Sequence, residues 1–163
     1  MSPGNATMCS GAFLSCKEID MYESISRDGK VEKDGERALI SALEKLGFYV
    51  KHIDCNIDGF PDLIVIGESV ALVEMKYIEA GSNPKVREFM EPSQPVFLNS
   101  LSRAGFCESF LCIYDGKMFS VYSTEGLLSK CLDEGRLNEM LPLRRDLSAR
   151  ETAIVISDYM QKG

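Results

Sequence analysis

The chain has 163 residues, 45% of them hydrophobic, and a formal net charge of −7 at pH 7. That length is enough to bury one globular core, while the acidity speaks against a protein that coats nucleic acid through a broadly basic surface. Apolar runs such as residues 63–66 and 70–73 are too short to cross a bilayer, and residues 1–15 lack a basic stretch followed by an apolar one, so neither a membrane span nor a secretory leader is expected.

Six cysteines (Cys9, Cys16, Cys55, Cys107, Cys112 and Cys131) contain no C-x-x-C pair, and His52 is the single histidine. A structural zinc site does not fit that spacing. Reduced thiols in a cytoplasmic compartment, several of them buried, are the expectation.

In chain order, residues 1–30 are rich in Ser, Gly and Met without a sustained period and read as an N-terminal extension, with a short helix near residues 13–22. From Glu32 the pattern changes. Leu39, Ile40, Leu43 and Leu46 recur at helical spacing, and Gly47 stands where a helix ends. Residues 48–54 read as a strand, followed by a loop over residues 56–59. Two apolar, β-branched runs then flank the short turn Gly67-Glu68-Ser69, which predicts a β-hairpin with both faces covered. Residues 79–90 read as a polar loop. Pro92 opens a helix through Ser102 that ends at Gly105. Strands are expected at residues 110–114 and 118–122, and helices at about residues 124–134 and 148–161. The last of these begins at the capping box Ser148-Ala149-Arg150-Glu151.

A hairpin turn centred on Glu68 sets Ile66 opposite Val70, Ile64 opposite Leu72 and Asp62 opposite Glu74. Opposed residues hold their Cβ atoms roughly 4.5–5.5 Å apart. Two carboxylates so close in apolar surroundings repel and have raised pKa values, unless a cation lies between them. Their hard oxygens suit Mg²⁺. Lys76, two residues beyond Glu74, falls on the same strand face, where an ammonium can orient water or steady charge on a phosphate. The bland alternative is a Glu74–Lys76 salt bridge at a sheet edge.

Those residues resemble the PD-(D/E)XK nuclease superfamily, with Pro61-Asp62 as the PD and Glu74-Met75-Lys76 as the E-x-K. The element order is similar too, and within the superfamily the chain is most similar to the small VRR-NUC and Holliday-junction-resolvase-like branch, often found in phages. Gln94, early in the following helix, and Gly105 after it match that branch, although Pro95 directly follows the glutamine. The likeness spans roughly residues 32–122. It implies an α/β, restriction-endonuclease-like core over residues 31–122, a small mixed central β-sheet flanked by α-helices. Residues 123–163 are left as a C-terminal helical segment. It further implies a metal-dependent DNA endonuclease acting on branched or structured DNA as a homodimer, with Mg²⁺ or Mn²⁺ held by Asp62, Glu74 and the backbone carbonyl of Met75. Lys76 would position the attacking water, and Glu36 would be the helix acid, with Glu32 one turn earlier as its substitute. A first-turn acid complementing the helix dipole is the plain reading of Glu36.

Gln94, Lys85 and Arg87 are the candidate substrate contacts, joined by Arg103 and Lys117. Arg144, Arg145 and Arg150 form the densest basic group, and acids between residues 76 and 117 offset the cations there. The rival reading is a catalytically silent nuclease fold that binds a protein or nucleic-acid partner.

Overall fold

A computed structural model describes residues 16–55 and 57–162. It contains helix α1 (Cys16–Lys45), strands β1 (Tyr49–His52), β2 (Leu63–Ile66) and β3 (Val70–Tyr77), and helix α2 (Ser93–Arg103). Strands β4 (Glu108–Tyr114) and β5 (Phe119–Ser123), helix α3 (Leu127–Leu132), strand β6 (Arg144–Leu147) and helix α4 (Ala149–Met160) complete it. The strands form one six-stranded sheet in the order β1-β2-β3-β4-β5-β6. Only β3 and β4 run parallel, and α2 makes the crossover between them; every other pair is antiparallel. The expected architecture, a mixed sheet flanked by helices, is therefore present.

Side-chain alternation along β3 explains the two-layered core. Ala71, Val73 and Met75 face α1 and α4, where they meet Leu39, Leu43, Ala153 and Ile156. Leu72 faces the other way, toward Leu98 of α2, Leu127 of α3, and Val86 and Met90. Glu74 shares that second face with Leu72, so the sheet's apolar interior itself carries a carboxylate. Leu43 is fully buried, and cutting such a leucine to alanine costs about 2–5 kcal/mol.

Several expectations need revision. The first helix runs without a break from Cys16 to Lys45, longer than the short helix expected near residues 13–22; residues 13–15 of that expected helix, and Asn56 of the expected loop, lie outside the described residues. The segment 79–90 is not simply a polar loop. Its Val86 and Met90 are buried, and a short 3-10 turn, Val86–Glu88, packs beneath α3. The expected C-terminal helices are present as α3 and α4, and the Ser148–Glu151 capping box forms with both reciprocal bonds. Between them, β6 adds a sixth strand that the sequence reading omitted. Among the described residues no helix is long and apolar enough to cross a membrane.

Candidate active site

The hairpin register is the one expected. Ile66 pairs with Val70, Ile64 with Leu72 and Leu63 with Val73, and a bond of 2.9 Å from Gly67 N–H to the Ser69 carbonyl closes the turn. Pairing stops one step short of Asp62. β3 nevertheless continues to Tyr77 against β4, so among the described residues its last positions have a strand on one side only. Asp62 does not simply confront Glu74. Its Oδ2 accepts the Met75 N–H at 2.7 Å, which anchors the aspartate to this open edge. In an extended strand the N–H and C=O of one residue point to the same side, so the Met75 carbonyl faces the same edge.

Glu74 is 1% exposed. Its Oε1 takes a 2.7 Å ion pair from Lys76 Nζ and a short hydrogen bond from Gln94 Nε2. Its Oε2 is buried and, among the described residues, has no hydrogen-bond partner. Desolvation, reinforced by the charge of Asp62, pushes the Glu74 carboxyl up to about 7 against the opposing pull of Lys76. Burial would lower the Lys76 pKa, but the charges of Glu74, Asp62 and Glu32 together outweigh it and hold the group as an ammonium. A carboxylate oxygen left bare inside a protein is costly. Here it is one that a cation would satisfy.

Helix α1 brings two acids to the same end of the sheet. Glu32 Oε2 accepts the Tyr77 N–H at 2.9 Å; burial raises its pKa, opposed by that bond and by Lys76. Glu36, one turn later, has its Oε1 at 2.8 Å from Nδ1 of the half-exposed His52. Its pKa is also raised by burial, opposed by His52 and supported by Asp62. Glu36 is the helix acid expected from the superfamily resemblance. The structure ties Glu32, its named substitute, to β3 beside Lys76, and ties Glu36 to β1. Gly35 lets the helix come this close, because a Cβ there would overlap the ring of Tyr114. A glycine inside a helical stretch was the available sign of such an approach.

Helix α2 supplies the third side. Pro95 does not displace Gln94; it sits buried in the first turn. The Gln94 side-chain oxygen Oε1 accepts the Glu91 N–H at 3.0 Å, which turns the side-chain nitrogen toward Glu74. Gly59, at φ +82, lies against the Ser93 carbonyl, where a Cβ would clash. That contact couples the Pro61-Asp62 loop to the start of α2.

Lys85 and Arg87 are not brought to this cluster by any ion pair. Lys85 Nζ lies 2.7 Å from Glu134 Oε2, and Arg87 pairs with the other oxygen of the same carboxylate. Both expected phosphate contacts are thus neutralised by an acid that the sequence reading did not single out. Cys55, Cys107, Cys112 and Cys131 are free thiols.

The donor chemistry fits a hard divalent ion: Asp62, the bare oxygen of Glu74, and a carbonyl on the same open edge. Among the described residues no three His, Cys, Asp or Glu side chains form a ready group around one point, so main-chain oxygen and water would have to complete the coordination.

No family model matches the chain, and no curated protein matches it. Among solved structures it is similar to Hjc, a Holliday junction resolvase from the archaeal hyperthermophile Archaeoglobus fulgidus. The identity is 17%, over 55% of this chain and 75% of that one, with a TM-score of 0.41. A likeness that loose carries no argument about chemistry, which rests on the geometry above.

Proposed function

We propose that the chain is a metal-dependent endonuclease that hydrolyses DNA phosphodiester bonds. The reading is supported above all by one observation: among the described residues Glu74 Oε2 is buried without a partner, beside Asp62 and Lys76, at an open strand edge. Burying the Glu74 carboxylate next to the partly exposed Asp62 and Lys76 does not favour stability. A cation and a phosphate would compensate for it.

Asp62, Glu74 and the Met75 carbonyl would hold Mg²⁺ or Mn²⁺, which supplies Lewis acidity toward the phosphate and a more acidic bound water. Lys76 orients the attacking water through its ammonium and faces the charge that develops on the phosphoryl oxygens. Gln94 and Lys76 together fix the Glu74 carboxylate from two directions, so its second oxygen stays aimed at the ion. Water adds to phosphorus as the bond to the leaving oxygen breaks; the attacking water gives up a proton and the leaving oxygen takes one, both exchanged with solvent. Branched DNA and a homodimer are the substrate class and assembly that the superfamily resemblance implies; a two-fold pair of sites suits the cutting of two strands.

A second reading, a nuclease fold that only binds a partner, is favoured by the Glu134 carboxylate that holds both Lys85 and Arg87 and by the net charge of −7. Incubation with linear duplex, single-stranded and four-way-junction DNA in Mg²⁺ or Mn²⁺ separates the two. Cleavage that requires the metal and disappears in both Asp62→Ala and Lys76→Ala supports the enzyme. Intact DNA on every substrate supports the binding protein.

A further inference from the structure

Continuing the hairpin register past Leu63↔Val73 would place Pro61 opposite Met75 and Gly59 opposite Tyr77. Neither can serve. β2 begins only at Leu63; Pro61 lacks the N–H that would pair with the Met75 carbonyl, and Gly59, at φ +82, lies against the Ser93 carbonyl at the start of α2. Met75 and Tyr77 therefore present N–H groups to a side where, among the described residues, no strand lies, and unpaired buried donors are expensive. Each finds a carboxylate instead. Met75 N–H donates to Asp62 at 2.7 Å and Tyr77 N–H to Glu32 at 2.9 Å. The two amides lie two residues apart on one edge, with Lys76 between them.

Asp62 belongs to the reacting cluster, whereas the chemistry proposed above leaves Glu32 unused. Glu32 comes from α1, 45 residues before its partner, and two features set it there. Gly35 allows the helix to press on Tyr114, the β4 neighbour of Tyr77. Glu36, the other acid that α1 brings to this end of the sheet, is bonded to His52 and does not compete for the place.

We propose that Glu32 is a positioning residue that stands in for the missing strand partner of Tyr77. With Asp62 in the equivalent place at Met75, it keeps the end of β3 extended and closed to any further strand. Lys76 and the Met75 carbonyl are thereby held toward the site. The role is that of a hydrogen-bond acceptor, not of a charge or a metal ligand, and only its effect on cleavage rests on the proposed function.

The test uses the full chain, isotopically labelled. In the wild type, a scalar coupling through the hydrogen bond should connect the Tyr77 amide nitrogen to the Glu32 side-chain carboxyl carbon. Glu32→Gln keeps an acceptor oxygen and should leave Tyr77 amide exchange within about threefold of wild type. Glu32→Ala removes the acceptor and should speed that exchange by about tenfold or more. On any DNA that the wild type cuts, Ala should lower kcat more than it raises KM, and Gln should restore most of the loss. Absence of the coupling, or a Gln variant that exchanges as fast as Ala, overturns the proposal. If Ala does not fold, the wild-type coupling and the Gln variant decide. If no DNA is cut, the nuclease reading fails while coupling and exchange still judge the role of Glu32.

Discussion

Glu74 offers the most quantitative prediction. Its carboxyl titrates near the ordinary 4.5 when the chain is unfolded and at about 7 in the folded, metal-free protein. Between those values the folded state holds the proton more tightly, so the stability contributed by Glu74 is complete below 4.5 and is lost as pH rises through about 7. At roughly 1.4 kcal/mol per pH unit, the loss comes to about 3 kcal/mol. Urea denaturation in chelator at about pH 5 and about pH 8 measures it, with Glu74→Gln as the reference that cannot titrate. The wild type should lose about 2.5 kcal/mol more than the variant across that range. Glu32 and Glu36 slope the same way in both proteins, so the comparison isolates Glu74. Mg²⁺ should restore stability chiefly at the higher pH, and only in the wild type. A difference between the two proteins that stays flat with pH would refute the claim that Glu74 is buried and bare.

Replacing Gln94 with alanine removes one of the two donors on Glu74 and should cost about 1–2 kcal/mol, read from the urea midpoint. Gly59→Ala introduces a Cβ at φ +82 against the Ser93 carbonyl; it should cost at least about 1 kcal/mol by the same measurement, and weaken metal binding by shifting the Asp62 loop. Glu134→Gln releases the paired Lys85 and Arg87. It should leave the melting temperature nearly unchanged, tighten DNA binding, and steepen its dependence on salt, as followed by fluorescence anisotropy.

The sequence carried the hairpin register because alternation and a short turn are local properties, and a one-residue slip would have turned Leu63 and Val65 out of the core. It carried the α4 cap for the same reason. What it concealed depends on distant partners. The first half of α1, with Asp20, Glu23 and Asp28 among scattered apolar residues, shows no period to read. β6 is the charged stretch Arg144-Arg145-Asp146-Leu147, a composition suited to a sheet edge but not one that announces a strand. Glu32 and Glu36 lie one turn apart with similar neighbours, and only the approach of α1 at Gly35 distinguishes them. The neutralisation of Lys85 and Arg87 comes from Glu134, an acid far along the chain.

The central claim is that Asp62 and Glu74 form a cation site, and calorimetric titration of Mn²⁺ into metal-free protein tests it without requiring a substrate. One ion per chain should bind to the wild type, with binding strongly weakened in both Asp62→Asn and Glu74→Gln and stronger at pH above 7, where Glu74 has lost its proton. Binding unchanged in both variants, or no binding by the wild type at millimolar Mn²⁺, would contradict it.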